Sequence, residues 1–294
     1  MSRYLGAALA ALLAVCLPAG GVHAGTIRAS DDRGAQIALS SPARRVVTLA
    51  PHLTELAYAA GGGTSMVGAD SASDYPPAAA DLPRVGDSAG LDLERILALR
   101  PDLVFGWLSG NKPSDIVRLQ HLGVLVFLSE PRRLSDIPRT LRVMGLLLGT
   151  GAVAEQRADA FERRLHTFGL RAALPPPVAV FFEVWHQPLI TVNAEHLISD
   201  VIALCGGYNV VGSLPALAPT VSLESVLAQD PETIIAAGVP PGALAAWDRF
   251  PRLRAVQRRQ IYEMDAELVT RATPRVLDGA DQLCRRLETV RKAR

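Results

Sequence analysis

Two stretches of this chain repeat one phrase: LDLERILALRPDLVF, from Leu91 to Phe105, and VSLESVLAQDPETII, from Val221 to Ile235. Their glutamates, Glu94 and Glu224, stand 130 positions apart. Internal repetition limits topology strongly, because each copy folds as the same unit and needs a neighbour to bury its apolar face. Each copy opens on a cap-type polar residue, Asp92 or Ser222, and runs through Ile96-Leu97 or Val226-Leu227. Each then breaks at Pro101 or Pro231 and continues as an apolar run. That order predicts a helix feeding a strand in each half.

The repeat extends upstream of both copies. The first half reads RVVTLA, Pro51-His52, the helical pattern LTELAYAA, then Gly61 to Gly63 and SMVG. The second reads PLITVN, Ala194-Glu195-His196, LISDVIALC, then Gly206-Gly207 and NVVG. Strand, polar turn, helix, glycine stop and strand therefore recur in order, which predicts an α/β fold of two βα sandwich lobes. Between them, Leu134 to Phe168 keeps apolar residues at three- and four-residue steps. It reads as one long helix, bent at Gly149 to Gly151, that RAALPPP terminates. The expected division is a leader at 1–24, a first lobe at 25–133, a connecting helix at 134–170 and a second lobe at 171–294. A cleft between lobes is where a small molecule binds most readily.

The first residues carry Arg3, an apolar run from Leu5 to Leu17, a Pro18 break and Val22-His23-Ala24. This is the pattern of a secretory signal peptide cleaved after about Ala24, and the run is too short to span a bilayer. Without that leader's one arginine, 29 basic side chains face 29 acidic ones. Neutral balance and no basic cluster interleaved with aromatics leave no footing for nucleic acid or an anionic membrane. Export places Cys205 and Cys284 in an oxidising compartment, which favours a disulfide over free thiols. None of the six histidines pairs at helical i, i+4 spacing, and no Cys-x-x-Cys occurs. The sequence thus offers no catalytic constellation and no resident metal site.

Several stretches together resemble the periplasmic cobalamin-binding proteins that feed ATP-driven corrinoid importers. In the first half these are RVVTLAPHLTELAYAAG, SDYPPAAADLPRVGD, LDLERILALRPDLVFGW and GNKPSDIVRLQHLGV. In the second they are HLISDVIALCGGYNVV, PTVSLESVLAQDPETII and TRATPRVLDGADQLC. The resemblance covers about Arg44 to Leu287 and implies the class III periplasmic substrate-binding architecture, two lobes joined by a single backbone helix. It implies a corrinoid in the inter-lobe cleft, with His52, Tyr75, Trp107, Trp185, Glu267 and Arg271 as contacts. It further implies Glu94 and Glu224 as one docking carboxylate per lobe for the two permease subunits of an inner-membrane importer. The Cys205 and Cys284 pair also matches family cysteines.

A carboxylate in a helix's first turn has a plainer use, complementing the helix dipole by about 0.3–1 kcal/mol. A histidine in a turn is more often an ordinary polar residue than a metal ligand, and a strand-end tryptophan often packs in a core. Ala72, Ser88 and Ala218 stand where better-known relatives carry aromatic rings. The expectation is a monomeric, non-enzymatic periplasmic receptor for cobalamin or another corrinoid. Its alternative is a heme or ferric-siderophore receptor of the same architecture, and a secreted enzyme on a similar scaffold is a remote one.

Overall fold

The computed structural model describes residues 26–169 and 176–294. The expected signal peptide at 1–24 lies outside the described residues. A hairpin of β1 (Ile27–Ser30) and β2 (Gln36–Leu39) opens the first lobe. There follow β3 (Val46–Thr48), α1 (Pro51–Ala59), β4 (Met66–Ala69), a small ribbon of β5 (Gly86–Asp87) and β6 (Gly90–Leu91), and α2 (Leu93–Ala98). The lobe is completed by β7 (Leu103–Trp107), α3 (Pro113–His121) and β8 (Val126–Ser129). Its main sheet is parallel, in the order β4-β3-β7-β8.

Two helices follow, α4 (Asp136–Leu148) and α5 (Gly151–Gly169). The second lobe contains β9 (Val178–Glu183), α6 (Leu197–Leu204), β10 (Gly207–Asn209), α7 (Leu223–Gln229) and β11 (Thr233–Ala237). It ends with α8 (Arg254–Gln257), β12 (Ile261–Met264), α9 (Ala266–Val269) and α10 (Val276–Lys292). Its sheet is again parallel, in the order β10-β9-β11-β12. Both sheets therefore place the second strand of the lobe at one edge, beside the first, with the third and fourth on the other side. The repeated phrases are α2 with β7 and α7 with β11, as their spelling predicts.

Parallel strands covered by helices on both faces are apolar on both faces, and side chains alternate between them. In the first lobe Val46, Leu103, Phe105 and Phe127 enter one core, while Val47, Val104, Val126 and Leu128 enter another. In the second, Val178, Val180, Phe182 and Ile235 share the first of these cores, and Phe181 and Ile234 turn to a third. The shared core runs through both lobes by way of Ala154, Ala158, Phe161 and Phe168 on α5. A disulfide, Cys205–Cys284, ties the end of α6 to α10.

The connecting segment corrects the expectation of one bent helix at 134–170. Gly149 ends α4 in the left-handed conformation at φ 70°, where a Cβ would also meet Pro42 at 2.8 Å. The chain then reverses. Arg142 reaches Glu155, Asp159 and Glu162 at 2.7–2.9 Å, whereas a continuous helix would separate residues 142 and 162 by about 30 Å. Helix α4 belongs to the first lobe, where Leu147 accepts from the Ala43 amide and Arg139 pairs with Asp32. The single helix that leads to the second lobe is α5. Sequence periodicity continued across the break because both helices bury a stripe in the same core.

Candidate functional site

In parallel sheets the loops at strand carboxyl ends gather the functional groups, and both lobes turn such ends to one cavity. In the first lobe β3 passes into α1 through Ala50, extended, and Pro51 at the first helical position, which needs no amide hydrogen. His52 comes next and is only 7% exposed. Among the described residues no hydrogen bond reaches its ring; its neighbour is Trp107, edge-on at 5.2 Å and 83°. Trp107 closes β7 and is fixed by Asn111, whose Oδ1 accepts from the Trp107 amide while its Nδ2 donates to the Leu49 carbonyl. One asparagine thus pins both strand ends.

The second lobe presents His196 in the matching place, as the cap of α6. Its Nδ1 accepts from the Ile198 amide at 3.1 Å, so the ring proton sits on Nε2. His52, Trp107, Glu130, Pro131 and Arg132 line the cavity from one side, and His196, Leu197, Leu217, Thr270 and Ala272 from the other. Its volume is about 70 Å³. Burial, and then the charge of Arg271, lower the His52 pKa to about 4. Burial, and then Arg132, lower that of His196 to about 4. Both imidazoles are therefore neutral near pH 7. Glu130 is held by the Ser109 amide and hydroxyl at 2.7 and 3.0 Å.

Beside this cavity an ionic knot joins the lobes. Glu55, one turn beyond His52, is 4% exposed, and its Oε1 accepts from Arg271 at 2.8 Å and from Arg275 at 3.3 Å. Arg271 also pairs with Asp74 at 2.7 Å, and that hydrogen bond holds the Asp74 carboxyl below its usual range. Glu267 lies 3.7 Å from Arg271 and 3.4 Å from Arg275. Tyr75 stacks beneath the Arg275 guanidinium, 4.0 Å from its ring centre. On another side Asp200 accepts from the Leu134 amide at 2.8 Å and lies 3.7 Å from Arg133.

The residues expected at the site thus fall into groups. His52 and Trp107 share the cavity wall, whereas Tyr75, Glu267 and Arg271 belong to the knot. Trp185 is 51% exposed outside the cavity lining, with its indole donating to the Gln187 carbonyl. Glu94 and Glu224 are exposed in the first turns of α2 and α7. Sequence reasoning missed His196 and Glu55. The repeat already aligned His196 with His52, and a carboxylate within the apolar face of HLTELAYA requires buried partners.

The periplasmic binding protein family model matches residues 46–268. The vitamin B12-binding protein of Vibrio cholerae is 35% identical over 254 residues, covering 85% of this chain and 91% of that protein. The counterpart from Yersinia pestis is 34% identical, covering 84% and 88%. The crystal structure of the periplasmic vitamin B12-binding protein BtuF of Vibrio cholerae matches with a TM-score of 0.79 at 34% identity, covering 85% and 99%. A periplasmic heme-binding protein from Pseudomonas aeruginosa matches at 0.73 and 26% identity, covering 82% and 91%. The family match, the identities and the paired four-stranded lobes agree: the chain belongs to the periplasmic binding protein family.

Proposed function

We propose that the protein captures cobalamin or a related corrinoid between its lobes and delivers it to an inner-membrane ATP-binding-cassette importer. The observation that carries this reading is the cavity at the strand ends of both lobes, in a chain about a third identical to vitamin B12-binding proteins along most of its length. Trp107 supplies a flat apolar face and His52 and His196 supply neutral polar edges, a suitable lining for a macrocycle with a polar rim. A ligand pocket commonly needs roughly 300–1,000 Å³, and this cavity has about 70 Å³. The lobes therefore part to admit the ligand. Parting breaks the knot, which frees Arg271 and Glu267 for the ligand's amide periphery and leaves Tyr75 at the cleft's edge. Trp185 joins the contacts only in the opened form.

Glu94 and Glu224 serve as docking carboxylates, one for each permease subunit. They lie in the first turns of corresponding helices and remain exposed. The receptor acts as an exported monomer, cleaved after about Ala24, and performs no catalysis. Calorimetry with cyanocobalamin tests the reading: saturable one-to-one heat is expected. Absence of that heat, together with a shifted Soret band on adding hemin, overturns it in favour of a heme receptor. That second reading is favoured by one feature, the His52 imidazole in the cavity wall, which takes no hydrogen bond from any described residue.

A further inference from the structure

The first-lobe histidine has a property that contact with a macrocycle's edge leaves unused. Its ring is more than nine-tenths buried, lines the cavity, and takes no hydrogen bond from any described residue. Among the described residues the buried side-chain atoms without a partner are Glu55 Oε2, Thr273 Oγ1 and Arg291 Nε, so the His52 nitrogens open onto the cavity, where an entering group can meet them. The low pKa, about 4, keeps a lone pair available near pH 7. Edge-on packing against Trp107 holds the ring orientation that a second-shell hydrogen bond would otherwise set. His196 is different, since its Nδ1 lone pair is occupied by the Ile198 amide and only an Nε2 proton faces outward. One lobe offers an acceptor and the other a donor.

We propose that the His52 imidazole binds the metal of a flat metallomacrocycle through an exchangeable axial position, with His196 donating a hydrogen bond at the opposite wall. This rests on the proposed reading and sharpens its substrate class to corrinoids without their own lower base, such as a cobinamide. The step is a ligand substitution: a nitrogen–metal bond forms, a metal–water bond breaks, and water leaves. The metal's oxidation state is unchanged and no proton moves. Heme iron offers the same open position.

The test uses the mature protein and three probes. Cyanocobalamin, whose axial positions are both filled, reports the pocket alone. Diaquocobinamide and hemin each report axial ligation through their visible spectra. The wild type should shift the spectrum of at least one of the latter two, and the shift identifies the metal. His52→Ala and His52→Gln should lose the shift and bind that probe at least about tenfold more weakly, a larger loss than either variant shows with cyanocobalamin. Free imidazole should restore the shift in His52→Ala. No shift with either probe, or a shift retained in both variants, overturns the coordination while cyanocobalamin binding still upholds the receptor. Failure of cyanocobalamin to bind the wild type counts instead against the corrinoid reading.

Discussion

The two lobes agree closely where they build the fold and differ where they face each other. Exposure follows one pattern, residue for residue, from Leu91 to Ala98 and from Val221 to Ala228. Asp92 and Ser222 both accept from an amide in the first turn. Arg100 at φ 46° and Asp230 at φ 44° both turn the chain left-handed before a proline. The carboxylates one residue after those prolines repeat their task too. Asp102 accepts from the Arg44 and Arg45 amides, and Glu232 accepts from the Ala179 amide. Agreement stops at the strand ends, where the His52 ring takes no hydrogen bond from any described residue and His196 caps a helix. Packing constrains each copy alike, but a ligand that is not symmetric does not.

The largest test of this contrast is the disulfide, which ties two helices of the second lobe. Cys205 and Cys284 are 79 residues apart, and closing such a loop is worth about 4 kcal/mol in the chain-entropy model. Replacing both cysteines by alanine should lower the urea midpoint accordingly. An unchanged midpoint would show that the second lobe is stable without its extra tie. Next in size is Glu55, which meets two arginines of the other lobe. Glu55→Ala leaves both guanidiniums short of a buried partner, costing about 3 kcal/mol. It should also enlarge the radius of gyration measured by small-angle scattering. A compact variant of normal stability would remove the knot as the closing contact.

How much of this was readable in advance follows from what each residue depends on. The helix–strand units, the α/β class and the two lobes were legible because periodicity, caps and prolines are local signals. Gly149 reads as a bend in the sequence, but its consequence, α5 folding back on α4, depends on Arg142 meeting three acids that sequence spacing does not bring together. His52 and Trp107 were placed at strand ends, and they meet there. The sequence marks Arg271 only through its resemblance, as a ligand contact, and its closed-state partners, Glu55 and Asp74, lie 216 and 197 positions away. No local pattern encodes such a pairing.

Acid should sharpen the contrast between the two histidines. The folded pKa of His52, about 4, lies below its unfolded value near 6.5. The unfolded chain thus binds the extra proton between those limits. The stabilising contribution is complete above about pH 6.5 and is lost as pH falls toward 4, with about 2 kcal/mol lost between pH 7 and 5. His196, whose pKa burial also lowers to about 4, behaves in the same direction. Urea titrations at both pH values should show a flatter pH slope in His52→Gln than in the wild type. Equal slopes would mean that His52 is hydrated in the folded protein.

The smallest expected effect on stability falls on the feature that the lobes share most fully. Glu94 and Glu224 are exposed, so alanine at either should change the unfolding free energy read from urea titration by no more than about 0.5 kcal/mol. A purely structural use, complementing the dipole of α2 or α7, would show as such a loss and nothing more. Docking predicts something else. The double variant should keep its corrinoid affinity yet fail to stimulate ATP hydrolysis by the reconstituted importer, and each single variant should fall between it and the wild type. Restoring Glu94 as aspartate tests reach, because the shorter side chain keeps the charge but withdraws it by one methylene. If the double variant stimulates the importer as well as the wild type, the matched glutamates are only helix caps preserved by duplication. The equivalence of the lobes then stops at packing.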